Sequence, residues 1–223
     1  IVGAVETSSL RTTNATIALG YLAGQTDQEG QCVAIGSQAG NNAQAAGAVG
    51  IGYKAGNDTQ GLGAVALGYQ AGQNTQGGNA IAIGELAGQA NQSGHGIALG
   101  YATGQTAQGA YAIALGYQSA FTTQGSGGIA IGYQSGQSDQ GASATAIGYG
   151  AGGDMQGESA IALGSGAGNT YQGAKAIAIG YNAGNSGQAA NSIVINASST
   201  TLENPTASSL RIKPIRSAVG TTM

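Results

Sequence analysis

One histidine, one cysteine and nine acidic residues are the side chains of this chain best suited to acid–base, nucleophilic or metal chemistry. His95 has no Ser or Cys nucleophile column beside it, so the nucleophile–base pairing of acyl transfer is missing. Cys32, the single cysteine, excludes an intrachain disulfide and leaves no cysteine spacing for a metal. Asp27 and Glu29 form the closest acidic pair, but the equivalent positions elsewhere hold residues such as Thr, Gly and Ala. Neither paired-carboxylate hydrolysis nor a repeated Ca²⁺ array is supported by that pattern. The many glycines make no phosphate loop, because no Gly-Lys-Ser/Thr accompanies them. The expectation is a chain that is not an enzyme, with no catalytic residue, no metal site and no cofactor.

Two other residue types do recur at fixed spacing. Gln occupies every sixteenth position from Gln28 to Gln188, including Gln60, Gln76, Gln92, Gln108, Gln124 and Gln140. Stacked amides can hydrogen-bond from layer to layer, so this column reads as a structural ladder, with a repetitive glycan-binding strip as the alternative. Tyr recurs in another column at Tyr21, Tyr53, Tyr69, Tyr101, Tyr117, Tyr133, Tyr149 and Tyr181, interrupted by Ser37, Glu85 and Ser165. The tolerance of Ser and Glu places this column at the solvent, where stacked rings stabilise a ladder or serve lateral recognition, Tyr53 to Tyr149 being the candidates.

Such columns need an element that repeats with the same period. Ala-Ile-Gly or Ala-Leu-Gly recurs with its glycine at Gly20, Gly36, Gly52, Gly68, Gly84, Gly100, Gly116, Gly132, Gly148, Gly164 and Gly180, always 16 residues apart. A further unit, Ile193-Val194-Ile195-Asn196, keeps the register and brings the count to twelve. With Ile17 as position one, positions one and three carry Ile, Leu or Val (Thr145 excepted), position two is almost always Ala, and position sixteen is small. Alternation of small and large side chains is a β-strand pattern. Gly at positions four and eight suits corners, and a second short segment, typically Tyr-x-Ala, lies between them.

A strand, a corner, a strand and a return in 16 residues make one solenoid coil, and twelve coils stacked at about 4.8 Å would form a rod roughly 55–60 Å long. The chain divides into an N-terminal cap or linker (1–16), a repeat array (17–196) and a C-terminal cap or neck (197–223). Gly every third residue, the collagen signature, is absent, as is a period built from sixes.

Composition agrees with this reading. Only 7% of residues are charged, Trp is absent and Phe occurs once, so no aromatic core can form. The net charge of -3 argues against nucleic-acid binding. No apolar run approaches the roughly 18 residues of a membrane span, so membrane insertion is not expected. The start at Ile1, without initiator Met or signal peptide, suggests a mature or trimmed form. Sequons stand at Asn14, Asn57, Asn91 and Asn196. Arg211 and Lys213 alternate with Leu210 and Ile212, and with Arg216 they suggest a terminal strand with an outward basic face.

If the small residues at positions sixteen, two and seven pack together inside a thin coil, the large residues point outward as a continuous stripe of roughly 550 Å². That stripe would include Ile17, Leu19, Ile81, Ile83, Ile97, Leu99, Ile113, Leu115, Ile129, Ile131, Ile177 and Ile179. Burying it between symmetry-related copies would stabilise the assembly by about 1.5–3 kcal/mol per fully buried side chain. A homotrimer meets that need; the alternative is a monomer with the aliphatics turned inward.

The units Asn79-Ala80-Ile81-Ala82-Ile83-Gly84 and Asn191-Ser192-Ile193-Val194-Ile195 resemble the Asn-Ser-Val-Ala-Ile-Gly repeat in the heads of YadA-type trimeric autotransporter adhesins. The resemblance covers about residues 17–196 and implies a trimeric, left-handed parallel β-roll with the large aliphatics at the trimer axis. The bacterial repeats are usually somewhat shorter. The Gln-containing 16-residue variant, followed by Leu210-Arg211-Ile212-Lys213-Pro214-Ile215-Arg216, is similar to fibre-like proteins of large DNA viruses of algae and protists. In some of those relatives a Pro-Ile-Arg segment precedes a C-terminal folding chaperone that can be autocleaved; no such domain is present in this sequence. The resemblance implies an adhesive fibre segment at a virion or cell surface, meeting other fibre or capsid components and a receptor or glycan. The competing reading is a glycan- or ice-binding solenoid with a lateral Tyr/Gln/Thr face, although the scattered Thr residues disfavour ice.

Modularity is the direct test of the period. Deleting residues 97–112 joins Gly96 to Ile113 in register and should leave a folded rod about 4.8 Å shorter, measured by circular dichroism and small-angle scattering. Deleting eight residues puts corner glycines into strands and should abolish folding.

Overall fold

A computed structural model describes residues 16–215 together with the backbone of Leu10–Arg11. Most of the N-terminal segment, Asn14 and Arg216 lie outside the described residues. The architecture is all-β, without a helix among those residues, and consists of about twelve turns of a parallel β-solenoid. The main sheet has 14 strands, and from Ile17 to Asn196 each parallel neighbour is offset by 16 residues: Ile17 pairs with Val33, Ile81 with Ile97, Ile113 with Ile129, and Ile177 with Ile193. On another face, shorter pairs form between Thr59–Gln60 and Thr75–Gln76 and between Ala107–Gln108 and Thr123–Gln124.

The large aliphatics turn outward. Each of the twelve rungs alternates a buried position two, Ala in all but Gly50 and Val194, with exposed or half-buried neighbours, as in Ile97-Ala98-Leu99 and Ile113-Ala114-Leu115. The monomeric alternative with inward aliphatics is therefore not what the chain adopts. Inside the coil are the alanines of positions two and seven, the small residues of position sixteen and the glutamines of position twelve. Of the largest fully buried side chains all are Gln except Val194 and Asn196, so an apolar core in the ordinary sense does not exist.

The corner at position four requires glycine on two grounds. Its φ is strongly positive, +136° at Gly20 and +125° at Gly36, and a Cβ on either would lie 2.6 Å from the carbonyl oxygen of the glycine in the next coil. Position six is also left-handed, yet it carries Leu22, Gln38, Lys54 and Gln70 at φ of 53–59°. That conformation costs about 1–2 kcal/mol per L-residue. It is offset by hydrogen bonds between coils, for the same residues donate to the position-five carbonyl of the preceding coil, Gln38 to Tyr21 at 2.7 Å and Lys54 to Ser37 at 3.0 Å. None of the position-six residues from Leu22 to Asn182 is β-branched, consistent with the poor tolerance of Val, Ile and Thr for positive φ.

Both ends of the sheet are covered or charged. Leu10–Arg11 pairs antiparallel with the first rung, Leu10 opposite Leu19. At the other end the sheet runs past residue 196, since Leu210–Lys213 adds a parallel rung with Leu210 opposite Ile193, an offset of 17. The segment 197–223 is thus in part a continuation of the array. The extra residue lies between Asn204, which occupies position twelve, and Ser209, whose carbonyl takes the position-sixteen role by accepting from Ile193 N.

In this last rung all four residues are exposed, so the basic side chains reach solvent as expected, though from columns that face inward elsewhere. Leu210 and Ile212 continue the aliphatic stripe, while Arg211 and Lys213 follow columns two and four. With no regular coil above them, those columns reach water. Arg211 Nη1 donates to the Glu203 carbonyl at 2.8 Å and Lys213 Nζ to Thr200 Oγ1 at 2.8 Å. Charged residues there discourage further strand pairing.

The buried glutamines should dominate stability. Gln108→Leu removes the donor to two buried carbonyls and breaks the amide chain, with an expected loss of about 3 kcal/mol in chemical denaturation. The exposed His95→Ala should stay within about 0.5 kcal/mol of the parent.

Candidate functional site

Three columns could act on another molecule: the glutamines, the tyrosines and the aliphatic stripe. The glutamines are inside. Gln44 through Gln188 are at most 2% exposed. Up to Gln172, each Nε2 donates to the Oε1 sixteen residues on, for example Gln60 to Gln76 at 3.1 Å, Gln76 to Gln92 at 3.1 Å, Gln92 to Gln108 at 2.9 Å, Gln108 to Gln124 at 3.1 Å and Gln124 to Gln140 at 3.0 Å. The same nitrogen also reaches the carbonyls of positions one and sixteen of its own coil, as Gln108 does with Ile97 at 2.8 Å and Ala112 at 3.3 Å. These amides close the coil across its width and along its axis. The ladder glutamines from Gln44 to Gln188 cannot line a lateral face, because no ligand outside the coil can reach them.

The tyrosines are outside. Tyr101, Tyr117, Tyr133 and Tyr149 form a continuous stack with centroid separations of 5.0–5.1 Å, and Tyr53 stacks on Tyr69 at 5.3 Å. Each exposes one broad edge, 40% at Tyr101 and 42% at Tyr133. Position five follows the position-four corner directly, so the aromatic column borders the aliphatic stripe. On the stripe, Ile17, Leu19, Leu99, Leu115 and Ile179 are exposed, and Ile81, Ile83, Ile97, Ile113, Ile129, Ile131 and Ile177 are half-buried.

The remaining reactive residues do not converge. Cys32 is buried in the small-residue column with its thiol 3.1 Å from the Ala45 carbonyl, and burial pushes its pKa up, away from the thiolate. His95 is exposed and stacks on Tyr111 at 4.9 Å. Glu29 accepts a hydrogen bond from the Ala46 amide at 2.8 Å. Among the described residues, no group of three or more His, Cys, Asp or Glu is placed to hold a metal ion. Neither protein-family models nor curated proteins nor solved structures yield a match to the chain.

Two polar features escape the column reading of the sequence. Asparagines at position nine tie neighbouring coils together: Asn41 Nδ2 donates to the Leu22 carbonyl at 3.0 Å, Asn57 to Gln38 at 2.9 Å and Asn185 to Gly166 at 2.9 Å. Their signal in sequence is weak, since position nine alternates among Asn, Gln and other residues. The second is Asn196, which is 2% exposed and donates to the Tyr181 and Thr200 carbonyls at 2.7 and 2.6 Å. Its amide is committed inside the fold, which removes it as a glycosylation site.

A ring stacked on both faces should contribute more than an isolated one. Tyr117→Ala is expected to lower stability by about 1–2 kcal/mol in chemical denaturation, and Tyr171→Ala, exposed and outside the stack, by no more than about 0.5 kcal/mol.

Proposed function

We propose that this chain is the rod-like segment of a trimeric, left-handed surface fibre, on a virion or a cell, that mediates attachment to a receptor. The observation that carries the proposal is the aliphatic stripe. Ile or Val beside Ile or Leu projects from rung after rung, and Leu210 and Ile212 extend it beyond the regular array. Exposed apolar patches of this size mark interaction surfaces in soluble proteins. Three copies meeting along their stripes would bury it in a single dry seam running the length of the rod, which a lone chain cannot do.

Other features support the same use. The main sheet is long, regular and terminated at each end, so the element spaces its ends at a defined distance. The chemistry-bearing side chains are scattered or interior, whereas the resemblance to adhesin heads and viral fibre-like proteins supplies the attachment role and the surface location. Nucleic acid and membrane insertion are not part of this reading.

Light scattering coupled to size-exclusion chromatography should return about three times 21.4 kDa. Ile113→Asp or Leu115→Asp, which would bury a charge in the seam, should dissociate the assembly or prevent its formation. A well-folded monomer at micromolar concentration would sink the trimer.

A further inference from the structure

The tyrosine column is interrupted at three places, and one interruption is open. Across Ser165 the rings of Tyr149 and Tyr181 are two rungs apart, about 10 Å by the rung spacing, twice the 5.0 Å that separates Tyr133 from Tyr149. One ring's thickness is missing between them. Tyr149 shows the consequence, being 63% exposed against 42% for Tyr133, whose two faces are both covered. The gap belongs to an open depression of about 280 Å³.

The walls differ from those of the other two interruptions. At Ser37 the adjacent position-six residues are Leu22, Gln38 and Lys54, and the Lys54 ammonium lies over the Tyr53 ring at 5.5 Å. The second interruption is occupied by the carboxylate side chain of Glu85. At Ser165 the position-six residues are Gly150, Gly166 and Asn182, so two of the three carry no side chain. Asparagine amides stand over those glycines: a Cβ on Gly150 would come within 3.2 Å of Asn169 Nδ2. Asn169 and Asn185 each donate one amide hydrogen to a floor carbonyl, at 2.6 Å to Gly150 and 2.9 Å to Gly166, which fixes their orientation; Asn185 also donates to Asn182 Oδ1 at 3.4 Å, so the second hydrogen of Asn169 is the one left for a ligand. Asn182 adds a third amide at the rim.

We propose that this gap is a binding slot for one neutral hexopyranose residue of a glycan, held between Tyr149 and Tyr181. The two aromatic faces match the C–H-rich faces of a pyranose at ordinary stacking distance. The Ser165 hydroxyl and the Asn169, Asn182 and Asn185 amides supply donors and acceptors for its hydroxyls. No Lys, Arg, Asp or Glu lines the slot, which selects a neutral sugar over a sialylated or sulfated one. A bare aromatic side chain would use the tyrosines but leave the amides without partners. The proposal deepens the attachment reading above and rests on it for biological meaning, although the slot itself lies on one chain.

Saturation-transfer NMR on the full chain, with the methyl glycosides of glucose, galactose, mannose and N-acetylglucosamine as probes, tests the slot. At least one glycoside should receive saturation, strongest on ring C–H protons. Ser165→Tyr inserts the residue that this column carries at eight other places, and should abolish the signal with a melting temperature no lower than the parent's. Ser37→Tyr should leave the signal intact. Absence of signal from all four glycosides, or a signal that survives Ser165→Tyr, overturns the proposal, as does binding of N-acetyltyrosinamide alone. A sugar-binding monomer would refute the trimer but keep the slot, and a trimer that binds no glycoside would do the reverse.

Discussion

Everything in this molecule depends on the hydrogen-bonded amide of one glutamine per coil. A 16-residue turn is narrow, so it closes mostly around alanines and a single amide that reaches both of its own inner carbonyls and the amide of the next coil. A buried polar group is costly when unpaired, and here the amides pair with one another along the chain of coils. Each glutamine therefore specifies the register of its neighbours, since a slip by one residue would leave the amide without its partner.

Closing on small residues forces the large ones out. The alternation that places Ala98 or Ala114 inside places Ile97, Leu99, Ile113 and Leu115 outside, and the fold cannot bury both faces by itself. The ends are treated differently from the flank. An antiparallel strand covers the first rung, and Arg211 and Lys213 lie across the last. Strand addition is discouraged at the ends, while the flank stays apolar.

The period, the strand at positions one to three and the direction of its two faces were readable from the sequence because each column repeats in twelve contexts. The glutamine column was harder. An amide is at home in water or in a hydrogen-bonded interior, and only its strict recurrence beside small residues favours the interior. Left-handed residues at position six were hidden because Leu22, Lys54 and Gln70 carry no glycine signal; the informative feature is the missing β-branch. The last coil departs from the 16-residue register for a local reason. One added residue between Asn204 and Ser209 shifts the final strand to an offset of 17, which moves Arg211 into the column that alanines fill elsewhere. The open slot at Ser165 could not be found from the tyrosine column alone, because the glycines at 150 and 166 are what distinguish it from the gaps at Ser37 and Glu85.

The tyrosine stack also makes the rod its own optical reporter. The chain has no Trp, so its near-ultraviolet absorption and emission come from its ten tyrosines, and four of them stand face to face at 5.0–5.1 Å. At that separation the ring transitions couple and excitation migrates from ring to ring before it is emitted. Light absorbed at Tyr101 can leave from Tyr149. Exciton bands thus report whether successive coils are in register, with no label attached.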